Sequence, residues 1–245
     1  MVTTEMLQVP SAAPRSRSDG LSIFPIFRSL HNGELESVAK RCIQRRYRRN
    51  EWLVELHEIN SDVFFVQSGV LRLQLPKAAD REVVFKDYQA RDFFGAVSVI
   101  HGKPRKVGVL ALTDVTVTRM PGEVFRELLH AHRDICDQFL LRMAAEIQHL
   151  VNRVNEFSTL DVRHRIYAEL LRLSRPKPGT EHGAVISPPP RQVDIAARIG
   201  TRREPVAREM KALERAGLLK RNRGALEIAD TVRLQSLLEK VEPLV

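Results

Sequence analysis

The sequence predicts an α+β chain in three parts: a series of short strands, one long amphipathic helix, and a winged helix-turn-helix at the C-terminal end. Three observations carry this. Apolar residues alternate with a period of two between Trp52 and Met120. An apolar stripe at helical spacing runs from Phe139 to Phe157. Between Arg191 and Ile228, two short helical segments joined at a glycine are followed by a basic hairpin.

Composition bounds what such a chain can do. Its 245 residues suffice for one large domain or two ordinary ones. No apolar run approaches the ~18 residues a membrane-spanning helix needs. The two cysteines, Cys42 and Cys136, share no motif, which excludes a disulfide framework, a zinc ribbon and a cysteine-held iron–sulfur cluster. They fit a reducing compartment, so a cytoplasmic location is expected. Lys and Arg number 39 against 30 Asp and Glu, a net charge of +9. That balance calls for an anionic partner: nucleic acid, acidic lipid or a phosphorylated ligand.

Residues 1–20, rich in Ser, Pro and Ala, read as a disordered tail, too polar for a signal peptide. Leu21–Tyr47 reads as helical, with Leu30, Leu35, Val38 and Ile43 near helical spacing. It ends in the basic run Arg41–Arg49, either a solvated helix end or a patch for nucleic acid or lipid. Strands are predicted at Val63–Val66, Val70–Leu75, Glu82–Phe85 and Val115–Thr118, separated by turn residues. Their regular spacing indicates a β-barrel, sandwich or jelly roll. Val124–Leu160 returns to helical spacing. Phe139, Met143, Ile147, Leu150, Val154 and Phe157 follow one another at steps of 4, 4, 3, 4 and 3, with Arg142, Glu146, His149, Arg153 and Glu156 on the other side. A stripe about 42 Å long at 1.5 Å per residue exceeds what a small β-roll covers, so pairing with a second copy is the natural way to bury it. Val162–Leu173 is a further helix. The Pro/Gly-rich Ser174–Pro190 is loop, with a brief strand at Ala184–Ser187.

The most informative stretch is Arg191–Arg223. Pro190 suits the start of a first helix carrying Ile195 and Ile199, which Gly200 ends. Thr201 and Glu204 form a T-x-x-E capping box for a second helix, 201–216, which Gly217 stops. On this helix Val206, Met210 and Leu213 make a narrow apolar stripe, with Glu204, Arg208, Lys211 and Arg215 opposite. Nine Lys/Arg against three Glu lie between Arg198 and Arg223. Arg202, Arg203 and Arg208 crowd the N-terminal half, where free N–H groups and the helix dipole favour phosphate, and this is the end a recognition helix places in the major groove. Leu218–Ile228 reads as a hairpin, the wing, whose Lys220, Arg221 and Arg223 can touch phosphates.

These features together resemble the Crp/Fnr superfamily of bacterial transcription regulators over about Phe24–Leu237. The most specific match is IGTRREPVAR at Ile199–Arg208; also similar are VFFVQSGVLRL at Val63–Leu73, DFFG at Asp92–Gly95 and the hinge-like Leu160-Asp161-Val162. The resemblance implies a jelly roll of the cyclic-nucleotide-binding kind over 21–131, a dimerisation helix over 132–160 and a winged DNA-binding domain over 161–245. It implies base reading by Arg203, Glu204 and Arg208, arginine suiting the O6/N7 edge of guanine and glutamate the N4 amine of cytosine. Arg191, Thr201 and Arg202 fall where phosphate contacts are expected. The implied partners are double-stranded DNA, a second copy and RNA polymerase, with no membrane. Activation or repression then depends on operator position rather than on these residues.

The sensory part departs from the family pattern. Cyclic-AMP-binding members have a Gly-Glu and an Arg-Ser pair where this chain has Gly95-Ala96 and Arg105-Lys106. They place a Thr-Ser pair where this chain has Leu150-Val151. A purine amine meeting hydrocarbon there loses a partner at a cost of roughly 1–3 kcal/mol. These departures argue against cyclic AMP. Lys103, Arg105 and Lys106 can still attract another anion; the alternative is a filled pocket in which Arg105 is structural. No cofactor is identified and no metal site is expected: His57 and His101 stand alone, and no H-x-H pattern, P-loop or nucleophile elbow occurs. The chain therefore reads as a regulator rather than an enzyme. A competing reading is a small-molecule-binding module that acts on a protein partner and uses its basic end without sequence preference.

Overall fold

The computed structural model describes residues 19–55, 61–78, 81–222 and 224–239. The chain falls into two compact units: one holds residues up to Leu73 with Lys86–Leu141, the other Gln74–Phe85 with the chain from Arg142 onward.

The first unit opens with α1 (Asp19–Ser22), a 3-10 turn (Pro25–Phe27) and α2 (Asn32–Lys40). Strands follow: β1 (Ile43–Tyr47), β2 (Trp52–Val54), β3 (Asp62–Ser68), β4 (Leu71–Ala78), β5 (Arg81–Tyr88) and β6 (Phe93–Phe94). Then come α3 (Ala96–His101), β7 (Gly108–Ala111), β8 (Val115–Pro121), α4 (Gly122–Ala131) and α5 (Arg133–Thr159). Among the described residues the strands form two four-stranded sheets, in the orders β1-β8-β3-β6 and β2-β7-β4-β5. The expected strands are all present, in a β jelly roll. The turn Gln67-Ser68-Gly69 does not close a hairpin; it carries the chain from one sheet to the other.

The alternation of β3 explains the core. Phe64 and Val66 point between the sheets and join Leu53, Val54, Leu71, Phe94, Val109, Ala111, Val115 and Val117 in one buried cluster. Phe65 points the other way, where it meets Phe24 at 5.0 Å and Phe27 at 5.1 Å between ring centroids. Both faces of β3 are thus covered, which is why its residues read as a continuous apolar run.

Two sequence expectations are corrected here. Of the tail expected over 1–20, Asp19 and Gly20 belong instead to α1; residues 1–18 lie outside the described residues. Leu21–Tyr47 is not one helical stretch. Pro25 fixes a 3-10 turn, α2 stops at Lys40, and Ile43–Tyr47 is a strand that pairs antiparallel with β8, from Ile43↔Arg119 to Tyr47↔Val115. Ile43 and Tyr47, four apart, fit a helix in isolation, but the ladder to β8 prevails. The basic run therefore starts at Arg41, the C-cap of α2, and lies mostly on and beside β1, an edge strand of its sheet that is mostly exposed.

The long helix is α5, 27 residues in length. Its first stripe residue, Phe139, is buried edge-on against Phe125, with 5.7 Å between ring centroids. Further along, Ile147, Leu150, Val151 and Val154 are each more than half exposed.

The second unit continues through α6 (Val162–Leu173), β9 (Arg175–Pro176), β10 (Ala184–Ile186), α7 (Gln192–Ile199), α8 (Arg203–Arg215), β11 (Leu219–Asn222), β12 (Ala225–Ile228) and α9 (Thr231–Glu239). The Asp161 carboxylate caps α6 by accepting from the His164 backbone N–H at 2.8 Å. Burial alone raises the pKa of Asp161, but hydrogen bonds from the His164 backbone and ring hold it below the ordinary carboxylate value. The brief strand expected near Ala184 is β10, which pairs with β12 from Ala184↔Ile228 to Ile186↔Leu226. The Pro-rich segment thus supplies a strand to the wing, in a sheet ordered β11-β12-β10-β9. One cluster binds the unit together, with Ile166 and Leu170 from α6, Ile195 and Ile199 from α7, Val206, Met210 and Leu213 from α8, and Leu226 and Ile228 from β12.

Candidate nucleic-acid interface

The helix-turn-helix is built from α7 and α8. Gly200 ends α7 with φ +66°, a left-handed backbone that glycine adopts without strain. Thr201 then donates its N–H to the Ala196 carbonyl at 3.0 Å. That bond explains a correction. The capping box at Thr201 and Glu204 does not form, because the box needs the Thr201 N–H that α7 has already taken. Arg202 is the N-cap, with extended backbone (φ −89°, ψ 166°), and the helix starts at Arg203 rather than 201. Pro190 likewise lies just outside α7, whose N-cap is Arg191. The other end of α8 closes as expected around Gly217: Gly217 N–H bonds the Glu214 carbonyl at 3.1 Å and Leu218 N–H the Leu213 carbonyl at 2.9 Å.

With Val206, Met210 and Leu213 buried, the opposite face of α8 is open. Arg202, Arg203, Glu204, Arg208, Lys211 and Arg215 are exposed, and Thr201 is partly so. Arg203 Nε donates to Gln192 Oε1 at 3.3 Å, so the first residues of the two helices meet. Arg191 donates through Nε and Nη2 to the Asp194 carboxylate, both at 3.0 Å, which fixes its guanidinium at the start of α7. On the wing, Lys220 is exposed, while Arg221 donates to Glu214 of α8 at 3.2 Å. Arg223 lies outside the described residues. Arg191, Gln192, Arg203, Lys211, Glu214 and Arg221 border an open groove of about 710 Å³ along α8. Sequence reasoning missed two parts of this wall. Gln192 carries no charge signal, and Glu214 reads as an ordinary helix-face carboxylate.

Behind the exposed face of α8, polar contacts tie α6 to both helices. Tyr167, fully buried, donates to Glu209 of α8 at 2.5 Å and accepts from Arg163 Nε at 2.5 Å. Burial and the Glu209 hydrogen bond push the Tyr167 phenol up to about 12. Arg153 and Arg165 donate to the carbonyls of Arg198 and Ile199. The side of α5 opposite its apolar stripe is therefore partly buried at Arg153 and Glu156.

The residues singled out in the β-roll are differently placed. Gly95, with φ +95°, precedes α3, and a Cβ there would lie 2.5 Å from both Arg105 Nη2 and the Asp62 carbonyl. Ala96 is buried at the start of that helix. Arg105, only 5% exposed, donates to the Asp62 carbonyl and lies over the Phe64 ring at 5.2 Å. Lys106 is exposed. Beside Phe64, the rings of Phe94 and Tyr88 continue a stack, with centroid spacings of 4.9 and 5.2 Å. Leu150 and Val151 belong to the other unit, on the exposed face of α5. Cys42 is buried, which pushes its thiol up to about 12 and keeps it protonated. Among the described residues, no helix is long and apolar enough to cross a membrane.

Comparison with known proteins places these parts. The cyclic nucleotide-binding domain family matches residues 44–132, and the Crp-like helix-turn-helix domain family matches residues 164–237. The cAMP-activated global transcriptional regulator CRP of Escherichia coli is 24% identical over 186 residues, covering 76% of this chain and 89% of that protein. Among solved structures, a CooA mutant from Carboxydothermus hydrogenoformans superposes with a TM-score of 0.72 at 20% identity, over 87% of this chain and 94% of that one. A CRP/FNR-family transcriptional regulator from Thermus thermophilus gives 0.64 at 20% identity, over 82% and 100%. Given an N-terminal cyclic-nucleotide-binding roll, a long helix and a Crp-like helix-turn-helix in this order, the chain is a DNA-binding transcription regulator and belongs to the Crp/Fnr superfamily.

Proposed function

We propose that the chain works as a homodimer that reads a palindromic DNA site with the N-terminal half of α8. The observation that carries this is the division of that helix: Val206, Met210 and Leu213 hold it in the core, while Arg203, Glu204 and Arg208 stand exposed together at its leading end. The two arginines suit guanine O6 and N7, and the carboxylate suits cytosine N4. Arg191, Thr201, Arg202 and Lys211 flank them for phosphate, with Lys220 and Arg221 on the wing. Ile147, Leu150, Val151 and Val154 support pairing, because an exposed apolar helix face of this kind is self-complementary across a twofold axis. Two such heads read sites about 34 Å apart on one face of the duplex. RNA polymerase is the proposed protein partner, the cytoplasm the proposed location, and no catalytic role is assigned.

Relatives named as cAMP-activated raise the question of an effector. We read the roll of this chain as a brace rather than a cyclic AMP receptor. Ala96 has no carboxylate for a ribose hydroxyl, and Leu150 and Val151 carry no side-chain acceptor for an adenine amine. Calorimetry with cyclic AMP should show no dissociation constant below about 100 μM; a micromolar value sinks this part of the reading.

The principal test is selection of bound DNA from a random pool with the purified protein, alongside its mass in solution. A palindromic consensus and a dimeric mass are expected. A monomer, or equal affinity for every duplex, rejects the reading and favours the protein-directed module instead.

A further inference from the structure

We propose that Arg153, Phe157 and Arg165 are positioning residues that set the direction of the recognition helix, and through it the half-site spacing the protein accepts. The proposal rests on the paired reading above.

The last carbonyls of a helix have no partner within it and carry the negative end of its dipole. In α7 these include Arg198 and Ile199, the residues just before the turn Gly200-Thr201-Arg202 that leads into α8. Both are taken by arginines from outside the motif. Arg153, on α5, donates to the Arg198 carbonyl, and Arg165, on α6, donates through Nη1 to the Ile199 carbonyl at 2.9 Å. Both guanidiniums lie on one ring, with their central carbons 4.9 and 5.3 Å from the centroid of Phe157. That ring also abuts the turn, since a Cβ built on Gly200 would sit 3.2 Å from Phe157 Cε1. The turn is thus gripped on two consecutive carbonyls and on its glycine.

The gripping groups are themselves held. Arg153 pairs with Glu156 at 2.9 Å and with Glu169 at 3.4 Å, and Arg172 pairs with both carboxylates. Glu169, 1% exposed, reaches Arg198 at 3.6 Å. Charge-assisted hydrogen bonds in so little water resist sliding more than apolar contacts do.

Arg153 and Phe157 share α5 with Ile147, Leu150 and Val154. Pairing of two α5 helices through those apolar residues therefore fixes both clamps and both turns at once. The interval between the two reading helices becomes a property of the clamp, not of the reading residues.

The test uses the full-length chain and duplexes carrying the selected half-site as an inverted repeat, with the gap stepped by single base pairs, and a duplex with one half-site only. Wild type should prefer one gap by at least about tenfold over gaps two base pairs away. Arg165→Gln and Arg153→Gln should flatten that preference to about threefold or less while single half-site affinity moves less than about threefold. Arg165→Lys, which keeps a donor, should retain part of the preference. Thermal unfolding reports whether each variant is folded; if the glutamine variants are not, Phe157→Leu and Arg165→Lys decide. Folded variants that keep the sharp gap optimum, or that lose half-site and gap binding equally, overturn the proposal. Wild type without any gap preference overturns the paired reading as well.

Discussion

Two groups of arginines in the same unit are deployed in opposite ways. At the elbow between α5, α6 and α7, Arg153 and Arg198 are largely buried, and together with Arg172 they commit their donors to Glu156, Glu169 and a backbone carbonyl. On the reading face, Arg202, Arg203 and Arg208 stand in solvent at the front of α8. The contrast teaches that a count of basic residues does not locate a binding surface. What matters is whether the protein supplies a counter-charge, because a paired, desolvated guanidinium is architecture and an open one is available to phosphate or base.

Removing one side of each group should separate the two roles. The largest expected effect is at the elbow: Glu169→Ala leaves buried arginines without their shared carboxylate and should cost about 3–5 kcal/mol of stability. Chemical denaturation measures this, and a loss below about 1 kcal/mol, on the scale of an exposed pair, would place these arginines with the open group. Arg203→Ala should do the reverse. It should weaken specific binding by about 1–3 kcal/mol and relax one base position, with stability changed by no more than about 0.5 kcal/mol. Competition binding against single-base variants of the site checks it. Tyr167→Phe, which removes the phenol's bond to Glu209 and leaves that of Arg163, should cost roughly 1 kcal/mol of stability. Lys220→Ala should have the smallest effect: a uniform weakening across all DNA sequences, with the salt slope reduced by about 1. A sequence-selective loss at Lys220 would show that the wing reads bases.

The helix-turn-helix and its wing were legible because their signals are local. Gly200, the Val206/Met210/Leu213 stripe and the wing glycine each act within a few residues, and Val70–Leu75 shows its strand by strict alternation. The elbow was hidden because its partners come from three helices, and nothing in the spacing of Arg153, Glu169 and Arg198 announces a contact. β1 was hidden for a similar reason. Its ladder to β8 is made by residues far along the chain, while Ile43 and Tyr47 by themselves suit a helix. The start of α8 was misplaced by two residues because the capping pattern at Thr201 is real in sequence, but a backbone bond to α7 had a prior claim on it. In the β-roll, the departures at Ala96 and Lys106 were readable, whereas the stacking of Phe64, Phe94 and Tyr88, set by strand pairing rather than by local spacing, was not.

The edge strand β1 shapes how the molecule behaves in a crowded solution. An unpaired sheet margin offers a row of amides and carbonyls on which another chain could grow a strand. Here that margin carries Arg45 and Arg46, both exposed, with Arg48 and Arg49 just beyond. A second copy approaching the same margin would bring like charges face to face. Like charges thus oppose strand addition at this margin, which leaves the exposed hydrocarbon side of the long rod as the surface for the proposed pairing.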